Sequence, residues 1–382
     1  MGDRSCLRVE LIAGADVDDG IRDAWIALAA AASTANIFYE HWAATAAAIL
    51  PEAAGLMLLL AWDDHGGASP QLAGLLPLQP RKSLKGRVQV AVQNWDQRVR
   101  ALGEPLIRSG FEAAFWAAAL GFLDRQRGLG HFLRLSALDA ASPSTRALNA
   151  VLATHGRPVH ATRSIERALL RGNTRAADYV AANIRKKVLK EQRRLRNRLD
   201  EQGGLVFDRL GADADAAPWI DDLFRLEMTG WKGRDGVAAA ADAITERCFR
   251  DLLTEAQGQG RLDFQRMRVG GKVIALLANI EAGDHAFQLK IAHDADYASF
   301  SPGVLLEMAY LDYALDVRKL AQVDSCARAG HPMIDRIWVD RLRIVSLAVP
   351  FDRRWSRLLC AAIERARRVH GRIARRRPAT DS

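Results

Sequence analysis

Apolar residues fall in short blocks whose period changes along the chain. "LRVELI", "GLMLLLAWDD", "LAGLLPLQP" and "RVQVAV" are brief, rich in Val, Ile and Leu, and separated by turn-forming stretches such as "DHGGASPQ", so each predicts a strand. Helices are predicted near residues 20–31 and 40–49 and over "FEAAFWAAALGFLDRQR". "HFLRLSAL" leads into "SPSTRALNAVLATHG", an apolar-periodic helix for which Ser144 is the expected N-cap, and "RSIERALL" predicts a strand. The second half repeats the order. "GLVFDRL" is a strand, and "APWIDDLFRLEMTGW" and "ITERCFRDLLTEAQGQG" are helices. "RLDFQRMRV", "KVIALLANIEAG" and "HAFQLKIAHD" are successive strands, the first two joined by Gly270-Gly271, a two-residue hairpin signal. A helix from "SPGVLLEMAYLDYALD", strands "KLAQVD" and "RIVSLAV", and a final long helix complete the pattern.

The echo predicts a pseudo-duplicated α/β (α+β) protein of two domains, 1–170 and 171–382, each with a mixed, largely antiparallel sheet flanked by helices. A chain of 382 residues also exceeds what one hydrophobic core normally serves. With 49% hydrophobic and 26% charged residues the composition is that of a globular protein. The N-terminal stretch has no basic start followed by an apolar core, and Cys6 stands where a myristoylation signal has Ser or Thr. The longest apolar runs reach about half the ~20 residues of a membrane span. A cytoplasmic protein with reduced thiols is therefore expected; the four cysteines form no CxxC pair.

The net charge of +9 changes the picture through its distribution. In "IRKKVLKEQRRLRNR", eight of fifteen residues are Arg or Lys and only Glu191 is acidic; "RARRVHGRIARRRP" is a second cluster near the C-terminus. A basic helix over 178–201 can be a solvated face, or a surface that gathers an anionic or membrane-embedded substrate.

Two stretches carry candidate chemistry. In "YASFSPGVLL", Ser301 can cap a helix, Pro302 suits its first turn, and Gly303, Val304 and Leu305 would offer amides to a phosphate at the dipole's positive end. "DSCARAGHPMIDRIW" gathers Asp324, Cys326 and His331. His331 titrates in the range of a general base, and Asp324 could orient it or hold an amine. Lys290, mid-strand in apolar "FQLKIA", needs a partner or a shifted pKa; it could pair with Asp324 or contact substrate. Tyr297 could protonate a leaving thiolate, or pack; Trp231 and Lys232 look like a substrate loop, though Trp231 could equally be an anchor, and Glu227 could add a carboxylate. A Cys326–His331 nucleophile has no supporting motif around it, and one Cys with one His falls short of a zinc site, so no metal is expected.

"YVAANIRKKVLKEQRRLRNRLDEQG", "GWKGRDG", "KVIALLANIEAGDHAFQLKIAHDADYASFSPGVLL" and the segment Asp324 to Arg341 resemble, in that order, the GNAT acyltransferases. The nearest resemblance is to their cellulose-biosynthesis (CelD/BcsL-type) acetyltransferases, related to the FemAB peptidyltransferases. It covers residues 179–350 well, while "YASFSPG" replaces the usual Q/RxxGxG/A turn. The resemblance implies acyl-CoA as cosubstrate, lying across a splayed strand pair with its pyrophosphate at the turn before the central helix. It implies N-acylation of an amino sugar, glycolipid or lipid amine by direct attack in a ternary complex. A sphingoid-type lipid amine, as for bacterial ceramide synthases, or an aminoacyl-tRNA donor in FemAB fashion are the alternatives. Peripheral contact with an anionic inner membrane face would fit, and nucleic acid is not the expected partner. A binding module without catalysis is the non-enzymatic alternative.

Overall fold

The computed structural model describes residues 7–64, 70–83, 88–229 and 239–353, and beyond them 355, 356, 358, 362 and 365. It divides into two compact units. One comprises Met1–His41, Glu52–Ser164 and Ile344–Ser382, the other Trp42–Pro51 and Ile165–Arg343. In chain order the elements are β1 (Arg8–Ala13), α1 (Asp19–Ala30), α2 (His41–Ala47), β2 (Met57–Asp63), β3 (Gln71–Ser83), β4 (Val88–Asn94), β5 (Leu106–Ile107), α3 (Glu112–Arg125), β6 (Phe132–Asp139), α4 (Pro143–Thr154) and β7 (His160–Arg171). They continue with α5 (Ala176–Asn183), α6 (Lys186–Asp200), β8 (Leu205–Arg209), α7 (Ala217–Thr229), α8 (Ala243–Gly258), β9 (Leu262–Val269), β10 (Lys272–Ala282), β11 (His285–His293), α9 (Pro302–Asp312), β12 (Gln322–Asp324) and β13 (Asp340–Pro350).

The first unit orders its strands β1-β2-β3-β4-β6-β13, the second β8-β9-β10-β11-β12-β7. In each, antiparallel neighbours are followed by one parallel pair, β4 with β6 and β11 with β12. The expected duplication is therefore present as a repeated topology, with helices between the first two strands and one helix crossing over the parallel pair. A parallel pair needs such a crossover, because a tight turn can only reverse the chain. Neither unit is a continuous stretch. β7 closes the second sheet by pairing with β12, and β13 closes the first by pairing with β6.

Local chemistry fixes the joints. Gly270 and Gly271 both take positive φ (55° and 83°), the backbone a two-residue hairpin requires, and join β9 to β10. Ser142, rather than Ser144, caps α4. Its hydroxyl accepts from Thr145 N–H (2.9 Å) and Pro143 occupies the first turn. The basic segment is two helices, not one over 178–201. Ile184 is extended (φ −105°, ψ 120°), while the Asn183 amide donates to the carbonyl of Tyr179 (3.0 Å), a helix-ending contact.

In the first unit, Phe115, Trp116, Leu120 and Leu123 of α3 pack on Leu59, Leu76 and Leu133. Each such fully buried side chain contributes about 1.5–3 kcal/mol. The second sheet is covered on both faces, which is why β10 is apolar almost throughout. α7 and α8 bury Leu223, Phe224 and Leu253 against Phe264 and Leu276. On the opposite face α9 buries Leu306, Tyr310 and Leu311 against Met267, Ala275 and Leu277. Among the described residues no helix is long and apolar enough to cross a membrane.

Candidate active site where two strands part

β11 and β12 run parallel for three residues only, His285–Phe287 against Gln322–Asp324, and then separate. At the same level β11 carries a bulge. Lys290 opposes Ala278 and Gln288 opposes Asn279, so Leu289 is the extra residue. A bulge re-aims side chains, and this one separates two neighbours that simple alternation would place on one face. Gln288 turns toward α9, and Lys290 toward α7.

On the α7 face, Lys290 Nζ lies 2.6 Å from Glu227 Oε1 and 4.3 Å from the centre of the Phe249 ring. Both charged side chains are buried, with 9% and 2% of their surface exposed. Glu227 Oε2 accepts from the backbone N–H of Ala239 (3.0 Å). A buried charge keeps its ionised form only with a partner and further hydrogen bonds, and this pair has both. On the α9 face, Gln288 Nε2 donates to Glu307 Oε1 (2.5 Å). Among the described residues no cation stands beside Glu307, and desolvation pushes its carboxyl up to about 8. Glu307 Oε2, Gln288 Oε1 and the Tyr310 hydroxyl are buried without a hydrogen-bond partner among the described residues.

Asp324 ends β12 in a buried ion pair with Arg167 of β7 and accepts from Cys326 N–H at 2.9 Å. The expected alternative, an Asp324–Lys290 pair, is replaced by Arg167–Asp324 and Glu227–Lys290. The bulge accounts for it by turning Lys290 toward α7. Cys326 adopts a left-handed backbone (φ 50°), and the Gln288 backbone N–H reaches its sulfur. Burial, and then the charge of Asp324, pushes this thiol well up, so it stays protonated and is a poor nucleophile. His331 Nδ1 accepts from Ile334 N–H (3.4 Å) at the start of the short 3-10 turn Ile334–Arg336.

The helix start expected to face a phosphate has a different arrangement. Ser301 is left-handed (φ 51°) and caps nothing with its hydroxyl; its carbonyl takes the N–H groups of both Val304 (3.0 Å) and Leu305 (3.2 Å). Two of the three expected amides are thus engaged within the helix, leaving Gly303 as the one of the three whose N–H has no such bond. A Cβ at Gly303 would sit 3.0 Å from Met333 Sδ, so a larger residue there would need that flexible side chain to shift. Tyr297 packs near Phe300 (6.3 Å between rings) with Lys272 Nζ 5.3 Å from its ring centre. Trp231 and Lys232 lie outside the described residues. The sequence reading passed over Arg167, Gln288 and Glu307. The signal for Glu307 was a lone acid in apolar "GVLLEMAYL", four residues after Gly303 and three before Tyr310 on the sheet-facing stripe.

These features allow a specific chemistry. Beyond Phe287 and Asp324 the two strands part beside a buried ammonium–carboxylate pair, an arrangement of the kind acyl transfer to an amine calls for. Residues 186–330 match the family model described as acetyltransferase (GNAT) domain. The second unit carries a GNAT acetyltransferase domain. The chain is accordingly an N-acetyltransferase-like enzyme. Its fold is similar to that of FemX (TM-score 0.58, 9% identity, covering 89% of this chain and 96% of that one). It is also similar to a conserved protein of unknown function from Bacteroides thetaiotaomicron VPI-5482 (TM-score 0.55, 13% identity, 90% and 100% covered). L-PGS from Bacillus licheniformis is a third (TM-score 0.51, 11% identity, 88% and 93% covered). At these identities the likeness concerns the fold. No curated protein matches the chain. Among the described residues no cluster of His, Cys, Asp and Glu could hold a metal ion.

Proposed function

We propose that the protein is an acyl-CoA-dependent N-acyltransferase of the CelD/BcsL-type branch, acting on a primary amine of an amino sugar, glycolipid or lipid amine. The observation that carries this reading is the buried Lys290–Glu227 pair beside the parting of β11 and β12, inside the segment that matches the acetyltransferase family. The neutral amine attacks the thioester carbonyl carbon, the C–N bond forms, and the C–S bond breaks as the tetrahedral oxyanion collapses. The amine's proton passes to the Glu227 carboxylate, and the Lys290 ammonium stands by the oxyanion and the leaving thiolate. No covalent acyl-enzyme is required, which agrees with the protonated Cys326.

Of the three residues expected to carry the chemistry, Lys290 is retained at the reacting centre. Asp324 positions β12 through Arg167, and His331 remains the alternative base. Gly303 and the strand edge of β11 are the groups left to receive the cosubstrate. Peripheral membrane contact through α6 and the cytoplasmic assignment belong to the same reading. An aminoacyl donor is the second reading; the basic α6 favours it through its affinity for phosphates.

The test is thiol release from acetyl-, medium- and long-chain acyl-CoA with a panel of amines, and aminoacyl-tRNA as a separate donor. Lys290→Met and Glu227→Gln are run in parallel with His331→Ala. Amine-dependent thiol release lost in the first two variants and kept in the third is expected. Release with none of the thioesters, alongside transfer from aminoacyl-tRNA, overturns the reading in favour of the second.

A further inference from the structure

A cavity of about 550 Å³ lies between α5, α6 and α9, away from the parting strands. Its α9 wall is Leu305, Met308, Ala309 and Asp312, positions i, i+3, i+4 and i+7 of one stripe. That stripe is distinct from the one that presents Gly303, Glu307 and Tyr310 to the sheet. Val180 and Phe207 complete an apolar floor. The volume is that of a small-molecule pocket, which spans roughly 300–1,000 Å³.

The opposite rim is basic and polar. Arg193 and Arg196, three residues apart on α6, both line the cavity, and neither has a carboxylate partner among the described residues. The contrast is Arg194, which turns away from it and pairs with Glu191 (2.6 Å). Arg196 instead rests over the Phe207 ring, 5.4 Å from its centre, so the guanidinium bridges the apolar floor and the rim. Gln192 also lines the cavity, and its enclosed Oε1 has no hydrogen-bond donor among the described residues. Such an acceptor is costly unless a donor reaches it.

We infer that this groove binds a single-chain phosphate monoester amphiphile. The alkyl chain covers the Val180–Phe207–Met308 floor, and the phosphate oxygens, close to doubly charged at neutral pH, accept from Arg193 and Arg196. A carboxylate head carries one charge where a phosphate monoester carries close to two at neutral pH, so it matches the two guanidinium groups less completely. An amine head is opposed by the two guanidinium groups, which separates this groove from an amine-acceptor site. Asp312 is the one acid on the lining, and its charge works against the ligand. The inference does not rest on the acyl-transfer reading.

Binding to the full-length protein is measured by calorimetry with decyl phosphate below its aggregation concentration, and with decanoate, decanol and inorganic phosphate as separate arms. Decyl phosphate is expected to bind at least tenfold tighter than any of the three. Shortening its chain should weaken it about three- to fourfold per methylene. Arg193→Ala combined with Arg196→Ala should weaken it tenfold or more, Met308→Trp should abolish it by filling the floor, and Asp312→Asn should tighten it. Inorganic phosphate binding as tightly would reduce the site to a surface anion contact and overturn the inference. So would equal affinity for decanoate, indifference to both Arg193→Ala/Arg196→Ala and Met308→Trp in variants with unchanged melting, or displacement of decyl phosphate by free coenzyme A at matching concentration.

Discussion

The two faces of β11 treat buried charge in opposite ways. Toward α7, Lys290 and Glu227 form an ion pair at 2.6 Å, and the carboxylate is held further by the Ala239 N–H. Toward α9, two residues earlier, Glu307 meets only the neutral Gln288 amide and is driven to hold its proton. Burial is similar on both sides, so depth does not decide the protonation state; the partner does. One strand thus carries a buried ion pair on one face, the pair proposed above as the reacting centre, and a neutral carboxyl on the other. A bulge of one residue, Leu289, separates the two.

Removing the carboxylate on the ionised face is expected to have the largest effect. Glu227→Gln keeps an acceptor for Ala239 N–H but leaves the Lys290 ammonium buried without a counter-charge. That should cost about 3–5 kcal/mol in a denaturant titration. Adding Lys290→Met to the same chain should recover most of that stability, since no uncompensated charge then stays buried. Acyl transfer should stay lost in the double variant. A double variant that is stable and also active would show that the pair is structural and would move the chemistry elsewhere.

Next in size is a pH dependence on the neutral face. The folded value of Glu307, about 8, lies above the ordinary 4.5, so the folded state keeps a proton that the unfolded chain releases. Its contribution is whole below about 4.5 and is lost as pH rises through about 8. Wild-type stability should therefore fall across that window by on the order of a few kcal/mol. Glu307→Gln should flatten the slope, most visibly between pH 7 and 8. Glu104 in the first unit gives a built-in comparison. Desolvation raises it only to about 7, because Ser142, Thr145 and the Asp139 N–H all bond its Oε1. In Glu307→Gln the slope that remains should end near 7. If it still extended to 8, Glu307 would not be its source.

How much of this was legible in sequence follows from what each feature depends on. Strands, most helices and the Gly270–Gly271 turn rest on local periodicity and backbone preference and lie where the pattern puts them; the basic segment instead breaks at Ile184, and the expected final helix lies mostly outside the described residues. The duplication was visible as an order of elements. The exchange of closing strands, with β7 in the second sheet and β13 in the first, depends on pairing between residues far apart in the chain, and no local pattern encodes it. The same holds at the site. Lys290 was recognisable as a charge needing a partner, but its choice of Glu227 over Asp324 depends on a bulge. Ser301 had the composition of a cap, yet its left-handed backbone turned the hydroxyl away from that task. His331 and Cys326 stood out through residue type alone, which says nothing about where their lone pairs point.

The smallest expected effects lie there and sharpen the comparison from the other side. His331→Ala removes the long Ile334 N–H to Nδ1 bond, 3.4 Å, and should cost on the order of 1 kcal/mol of stability. Thiol release should stay within a few fold of wild type if Glu227 is the proton acceptor, as proposed. A loss of more than about a hundredfold, in the range a general base contributes, would instead assign the base to the imidazole. Cys326→Ala is the companion measurement. The thiol is desolvated and pushed well up, so deleting it should leave kcat unchanged and trap no acyl group on the protein. Retained turnover in both variants, beside its loss in Lys290→Met, would leave the α7 face of β11 as the seat of the chemistry. The cluster of reactive residue types after β12 would then be a loop that supports that face, with Arg167–Asp324 as its anchor.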